Sequence, residues 1–264
     1  MESGRQVEWR AMRIPRVFID ADIEVGREVV LPSAEARHLA RVLRRSTGDP
    51  IHILAPGGVA FAAELVQVSH GSGVLRVVAR VHAEAAAPTA QVGSWRLGLA
   101  AVKGQDFELS LRMASELGFR SVTPIFTGRS VVRWHDWGRK RERFERLVRE
   151  SAKQCGRSDP LAIAEPLEFS GWLESEAKVV APRWIAVPYG PPMSAPAGQL
   201  PGDSVSFAVG PEGGFTPTEV DAATDVGFMP CGFPTPVLRT PTAVALIAAL
   251  GLVLGDSPET GNAG

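Results

Sequence analysis

The chain has 264 residues, of which 45% are hydrophobic and 22% are charged, and its net charge at pH 7 is −1. These values fit an ordinary globular protein with one large domain or two smaller ones, and the two isolated cysteines exclude a disulfide framework. No signal peptide is apparent, and the longest apolar run, residues 243–254, is shorter than the roughly 20 residues of a membrane span. We therefore expect a cytoplasmic protein with no membrane partner.

Charge is unevenly distributed along the chain. The net charge is +1 for residues 1–85, +6 for 86–160 and −8 for 161–264. Basic residues concentrated in the first 160 positions are suited to contact with a polyanion such as a nucleic acid. For any single arginine, a solvated helix face is the simpler explanation.

Residues 12–85 are predicted to form a small β-barrel with one helix, after an upstream extension at 1–11. The helix covers 33–45 with Ser33 as its N-cap, and strands follow at 50–55, 59–68 and 74–82, separated by glycine turns. Basic side chains on one face of this helix are predicted to lie outside the barrel; they are Arg37, Arg41 and Arg44.

Residues 86–94 have the composition of a linker, and alternating strands and helices follow at 95–255. A strand at 95–102, a helix at 107–117 and a strand at 121–127 predict a βαβ unit and a parallel sheet. We expect Asp106 to cap that helix and Gly118 to stop it. A helix near 139–156 has a basic stripe consisting of Arg139, Arg143, Arg146, Lys153 and Arg157.

The rest of this domain contains strands near 184–187 and 204–210, with a proline-rich surface loop at 188–203 between them. Residues 256–264 are predicted to be a disordered tail. The chain has no GxGxxG after a strand, no P-loop lysine and no GxSxG elbow. Because the five histidines are scattered and neither CxxC nor HExxH occurs, we expect no metal site.

The stretch VGPEGGF, residues 209–215, ends a buried strand and precedes a helix with Thr216 as N-cap, Pro217 at its first position and Glu219 at its third. Ligands of open α/β sheets bind outside the carboxyl ends of the strands. The stretch lacks the lysine that contacts the phosphates in a P-loop, which argues against a triphosphate ligand. A group such as an adenosine, held by backbone amides, fits this turn better, although a tight turn without a ligand is also possible.

A second unusual stretch lies at 234–251, where Thr240 and Pro241 begin an apolar helix. Arg239 lies at the amino end of this helix, where the helix dipole disfavours a positive charge. A cation in that position is more often functional than decorative. A structural salt bridge is the alternative.

Seven motifs together resemble the bacterial ribosomal RNA small subunit methyltransferase E family, which belongs to the SPOUT class. They are MRIPRVF (12–18), RHLARVLR (37–44), KGQDFELSLRMASELGF (103–119), RSVV (129–132), ESAKQCGR (150–157), GPEGGF (210–215) and VLRTPTA (237–243). The resemblance implies an α/β fold in which a PUA-like RNA-binding barrel precedes a knotted, parallel-sheet methyltransferase domain at 95–255. It also implies a homodimer that methylates N3 of a uridine in 16S ribosomal RNA of the small subunit with S-adenosylmethionine.

The resemblance also implies roles for single residues. Arg239 and Glu212 would be catalytic, Arg239 by stabilising charge on the uracil and Glu212 by accepting its proton or by holding the loop. The cofactor would contact Val209, Gly210, Pro211, Gly213, Gly214, Val237, Leu238 and Thr240. RNA would contact Arg37, Arg41, Arg44, Lys103, Arg129 and Arg157.

The chain departs from the family pattern at four places. Pro234-Thr235-Pro236 replaces a Gly-x-Arg, Pro241 replaces a glutamate, Ser158-Asp159 replaces an Asn-Arg pair, and the loop at 188–203 replaces a stretch that begins His-Pro. These changes motivate a second hypothesis, an altered or inactive homologue that binds RNA or assists ribosome assembly. A third is an α/β enzyme acting on a small acidic metabolite.

Overall fold

The structure is a computed structural model that describes residues 14–55, 59–69, 71–81, 95–157, 159–193 and 204–255. The extension at 1–11, the linker at 86–94 and the tail at 256–264 lie outside these residues. The chain divides into two compact units, Met1–Thr89 with Ala152–Asp159, and Ala90–Ser151 with Pro160–Gly264. Within the described ranges, no helix has the length and apolar character needed to cross a membrane, and no cluster of side chains is suited to hold a metal ion.

The first unit contains a five-stranded sheet in the order β1-β3-β4-β5-β2. Its strands are β1 Arg16–Phe18, β2 Glu28–Val30, β3 Pro50–Ala55, β4 Val59–Val68 and β5 Gly73–Val81. β1 and β3 are parallel, and the other neighbours are antiparallel. Alternate apolar residues such as Ile51 and Ile53 point into the core and are fully buried.

The helix of this unit is shorter and less regular than predicted. Helix α1 covers Ser33–Arg37 and continues as a π-helical turn over His38–Val42, so the prediction of a helix to residue 45 is wrong. The N-cap is Pro32, not Ser33, because the Pro32 carbonyl already accepts the Ala36 amide at 3.0 Å. The helix stops early because Arg44 has a φ of 50°, which is incompatible with a right-handed helix.

The pH dependence of this unit's stability is expected to involve His52, which lies beside Arg16 across the β1–β3 pair. Burial and the Arg16 charge lower the pKa of His52 below its usual value, so the unfolded chain binds more protons near pH 6. The contribution of neutral His52 to the free energy of unfolding is therefore fully present above about pH 6.5, and it is lost as the pH falls through the folded-state pKa. Urea unfolding across this range should show the loss. His52→Gln should make the free energy of unfolding depend less on pH in this range. If this variant keeps the wild-type pH profile, the assignment of the effect to His52 is contradicted.

The second unit contains a parallel sheet in the order β12-β10-β11-β6-β7-β8, with β9 also paired to β7. Its strands are β6 Trp95–Ala100, β7 Ser121–Phe126, β8 Ala162–Ile163, β9 Leu167–Glu168, β10 Arg183–Ala186, β11 Val205–Val209 and β12 Met229–Cys231. The helices are α2 Gln105–Glu116, α3 Trp137–Cys155, α4 Phe169–Ala177, α5 Pro217–Asp225 and α6 Thr240–Gly255. The end of α3, from Ala152 onward, belongs to the first unit. The predicted βαβ unit is therefore confirmed as β6-α2-β7.

Details of two helices differ from the prediction. The N-cap of α2 is Gly104, which has a φ of 65°, and Asp106 lies in the first turn instead of capping it. Gly118, with a φ of 93°, follows the last turn of α2 as predicted. At the end of α3, the side chain of Lys153 is only 10% exposed and pairs with Glu35. Lys153 is therefore not part of a solvated stripe.

Trp95 is fully buried in the core of the second unit and makes edge-on contacts with Phe119 and Phe207. A Cβ on Gly251 of α6 would overlap its ring, with Cζ3 at 2.8 Å. Gly251→Ala should therefore lower the free energy of unfolding by about 1–3 kcal/mol. Gly171→Ala is the matched control because a Cβ there meets no atom within 4 Å. This variant should raise the free energy of unfolding by about 0.5–1 kcal/mol, because alanine favours the helix more than glycine does. Chemical unfolding of both variants tests the contrast; equal stabilities would contradict it.

Candidate active site

A cleft opens at the carboxyl ends of β10, β11 and β12, which is where parallel sheets place their ligand sites. Its walls come from residues 186–189 at the end of β10, residues 209–212 and 214 at the end of β11, and parts of 233–243 after β12. The cleft contains about 590 Å³ of free space, part of it open to solvent.

The loop after β11 presents backbone to this cleft. All five residues of β11 are buried, and the chain then turns so that the Gly214 amide donates to the Pro211 carbonyl at 2.8 Å. Gly214 has a φ of 68°, and a Cβ there would have only Pro188 Cδ nearby, at 3.9 Å. A side chain at this position would therefore occupy the space between two walls of the cleft.

Two charged side chains hold the glycine loop from outside. Thr216 and Glu219 form the predicted capping box at the start of α5, and the second carboxylate oxygen of Glu219 accepts the Gly128 amide at 2.7 Å. Arg129 donates to the Gly213 carbonyl at 2.7 Å and to the Phe215 carbonyl at 3.2 Å. Arg129 therefore braces the loop, a role that sequence reasoning missed because these partners lie more than 80 positions away.

The loops after β10 and β12 pack backbone against backbone. A Cβ on Gly232 would lie 2.6 Å from the Gly190 carbonyl oxygen, so only glycine fits there. The Gly232 amide donates to the Pro191 carbonyl at 2.7 Å. The Thr240 hydroxyl donates to the Gly210 carbonyl at 3.1 Å. These contacts join the three segments that line the cleft.

The structure brings most of the predicted cofactor residues together. Those that line the cleft are Val209, Gly210, Pro211, Gly214, Val237, Leu238 and Thr240, and Glu212 lines it as well. Gly213 faces Arg129 instead. Arg239 is exposed and does not line the cleft, although both of its neighbours in the chain do. Within the described residues, neither Glu212 nor Arg239 has an ion pair.

Sequence reasoning missed two aromatic residues of the cleft, Tyr189 and Phe233. Tyr189 lies in a segment that was predicted only to be an irregular loop. Phe233 lies two residues after β12, a strand that the residues Met-Pro-Cys did not predict. An aromatic residue just after a strand would have been the signal, had the strand itself been recognised.

The predicted RNA-contacting residues are distributed over both units. Arg37, Arg41 and Arg44 are exposed on the first unit, and Lys103 is exposed on the second. The side chain of Arg157, in the first unit, is 11% exposed and lies 3.9 Å from the Asp159 carboxylate. Burial lowers the pKa of Arg157 below its usual value. Only a small part of this guanidinium is therefore offered to solvent.

Comparison with known proteins gives the family. The family model of the RNA methyltransferase domain matches residues 91–253. The ribosomal RNA small subunit methyltransferase E of Synechocystis is 32% identical over 241 residues, which cover 89% of this chain and 76% of the relative. The protein of the same name from Bacillus subtilis is 28% identical over 239 residues, covering 86% and 92%.

Solved structures share the fold along nearly the whole chain. The ribosomal RNA small subunit methyltransferase E of Neisseria gonorrhoeae, bound to S-adenosyl methionine, has a TM-score of 0.79 and 23% identity, covering 91% of this chain and 98% of its own. A methyltransferase of Legionella pneumophila, in complex with the same cofactor, has a TM-score of 0.82 and 23% identity, covering 92% and 98%. Since the family model spans more than half of the chain, and the Synechocystis relative is similar along most of both sequences, this chain belongs to the RNA methyltransferase family and within it to the ribosomal RNA small subunit methyltransferases E.

Proposed function

We propose that this protein methylates N3 of a uridine in 16S ribosomal RNA of the small ribosomal subunit, using S-adenosylmethionine. The observation that carries the proposal is the cleft at the carboxyl ends of β10, β11 and β12, in a chain of this family. Its walls are backbone, proline, and aliphatic and aromatic side chains with few charges. Such walls suit an adenosine, which needs apolar surface and a few backbone hydrogen bonds.

The residues present fit this cofactor. Gly210 and Gly214 line the cleft, and Leu238 and Ala243 add apolar surface to its lining. When bound, S-adenosylmethionine supplies a methyl group on a positively charged sulfur. A nucleophile that bonds to this methyl group displaces the sulfur, which leaves as a neutral thioether. The protein's part is to hold both reactants in line and to exclude water.

Arg239 and Glu212 are the proposed catalytic residues. N3 of uracil lies on the pairing edge, so the base must leave any helix before it reacts. As N3 loses its proton, negative charge spreads to the two carbonyl oxygens, and the exposed Arg239 guanidinium is suited to stabilise that charge. Glu212 is exposed on the cleft wall and is suited to accept the proton.

The RNA itself is proposed to contact exposed cations of both units. On the first unit these are Arg37, Arg41 and Arg44, with the exposed edge of Arg157, and on the second Lys103. Phosphate contacts of this kind should make binding fall steeply with salt. For Arg129, the two carbonyl contacts support a role in bracing the glycine loop more strongly than a role in contacting RNA.

Four broader features of the family are also part of the proposal. They are a PUA-like fold for the first unit, a trefoil knot in the second, a homodimer and a cytoplasmic location. For the knot, the support is that β11 lies between β10 and β6, and that the segment after β12 returns to Gly210 through Thr240. For the location, the support is the proposed ribosomal substrate.

Methyl transfer to small ribosomal subunits from cells that lack the modification tests the function. Nucleoside mass spectrometry should then detect N3-methyluridine. Its absence, with folded protein and an active relative as the positive control, would favour the altered RNA-binding homologue. The observation behind that second candidate is Pro236 in the cleft wall, beside exposed Pro234. Calorimetry showing micromolar cofactor binding would count against it.

A further inference from the structure

Tyr189 occupies a turn position that normally belongs to another residue type. The Gly190 amide donates to the Val187 carbonyl at 3.2 Å, which makes residues 187–190 a β-turn. Pro188 is at its second position and Tyr189, with a φ of 59°, is at its third. Turns with a positive φ at that position take glycine or asparagine. Backbone conformation alone therefore does not explain a tyrosine here.

The turn is held in place by the last residue of β12 and the loop that follows it. The Val187 amide donates to the Cys231 carbonyl at 2.8 Å. Gly190 packs so closely that a Cβ on it would lie 2.9 Å from the Gly232 nitrogen. Because these contacts are between backbone atoms, they leave the turn little freedom to shift. The Tyr189 side chain is therefore attached to a well-fixed support.

The ring of Tyr189 has space for a ligand. The residue lines the cleft and is 82% exposed. Within the described residues its ring makes no aromatic contact and its hydroxyl makes no hydrogen bond. A large aromatic side chain that is fixed at its base, exposed at its face and placed on a cleft wall is suited to stack on another planar group.

We propose that Tyr189 is a positioning residue whose ring stacks on the adenine of the cofactor in this cleft. The inference rests on the proposed function, because it takes the cleft to hold S-adenosylmethionine. Adenine is the only aromatic part of that cofactor. Stacking of a base on an aromatic side chain contributes about 1–3 kcal/mol, which corresponds to roughly 5- to 150-fold in Kd.

The chain contains a single tyrosine, so labelling with 3-fluorotyrosine gives one ¹⁹F resonance that reports on Tyr189 alone. Titration with S-adenosylhomocysteine should shift this resonance, with a midpoint equal to the Kd from calorimetry. Tyr189→Phe should bind within about threefold of the wild type. Tyr189→Ala and Tyr189→Gly should bind at least fivefold more weakly.

Tyr189→Gly also separates binding from folding. Glycine adopts a positive φ without strain, so this variant should unfold at a denaturant concentration no lower than the wild type. Weaker binding by a protein of undiminished stability would therefore support the contact with the ring.

Each of the following results would overturn the inference. If the wild type binds S-adenosylhomocysteine but the ¹⁹F resonance does not move, or if Tyr189→Ala binds as tightly, Tyr189 does not contact the cofactor and the proposed function stands. If Tyr189→Ala binds normally but methylates small subunits slowly, the ring serves the RNA instead. If the wild type does not bind S-adenosylhomocysteine at all, this inference and the proposed function fail together.

Discussion

Replacing Arg239 by alanine is expected to slow methyl transfer by about 100- to 1000-fold, the usual effect of removing one group that stabilises charge in a transition state. The Kd for S-adenosylhomocysteine should change by less than about threefold. This difference is expected because Arg239 is exposed beside the cleft without lining it, whereas Leu238 and Thr240 do line it. The proposed function therefore assigns Arg239 to the RNA base and not to the cofactor.

Single-turnover methylation of small subunits, together with calorimetry, measures the two effects separately. Arg239→Lys should recover only part of the rate, because it restores the charge but not the planar, two-pronged guanidinium. Arg120→Ala is the matched control, since Arg120 is also exposed but precedes β7, at the amino ends of the parallel strands. An Arg239→Ala enzyme with full turnover would remove this residue from the mechanism.

The largest expected effect on stability is that of Glu176→Gln, which should lower the free energy of unfolding by about 3 kcal/mol. The side chain of Glu176 is 7% exposed and that of Arg96 is 21% exposed. Arg96 Nε donates to both carboxylate oxygens of Glu176, at 3.1 and 3.3 Å. The other Arg96 nitrogens donate to the Ser204 and Ser206 hydroxyls. Without the Glu176 charge, a largely buried guanidinium would remain uncompensated.

An exposed ion pair supplies the matched control for this prediction. Glu145 accepts a hydrogen bond from Arg141 at 2.8 Å, but their side chains are 42% and 46% exposed. Glu145→Gln should therefore change the free energy of unfolding by less than about 0.5 kcal/mol. Urea unfolding followed by tryptophan fluorescence compares the two variants. Equal, small effects would show that the Arg96–Glu176 pair is as well solvated as a surface pair.

Local patterns predicted the parts of the fold that depend on neighbours in the chain. The strands at 50–55 and 59–68, the βαβ unit and the capping box of Thr216 and Glu219 are all confirmed. Each follows from side-chain alternation, helical spacing or a hydrogen bond within four residues. At two helix starts the observed N-cap differs from the predicted one, by one residue at Pro32 and by two residues at Gly104.

Contacts across long separations could not be read in this way. The close approach of Gly190 and Gly232, the bond from Arg129 to Gly213 and the burial of Lys153 against Glu35 all depend on how distant segments meet. In the sequence, Gly190 in its proline-rich loop resembles a glycine of any surface turn. Its packing against Gly232 can be recognised only once β10 and β12 are known to be neighbours. The glycine loop at 209–215 was predicted because glycines and a following helix cap stand next to each other in the sequence.

The placement of the cleft late in the sequence affects how activity is acquired during synthesis. All strands of the second sheet precede residue 232, but one wall of the cleft comes from residues 233–243. The helix that follows, α6, contributes Val244, Ile247 and Ala248, which are fully buried. A chain that stops near residue 233 therefore lacks the cleft wall and also exposes apolar core surface. Residues 233–248 therefore complete both the cleft and the core. A truncated product that lacks them would be inactive and would also be removed by proteases and chaperones.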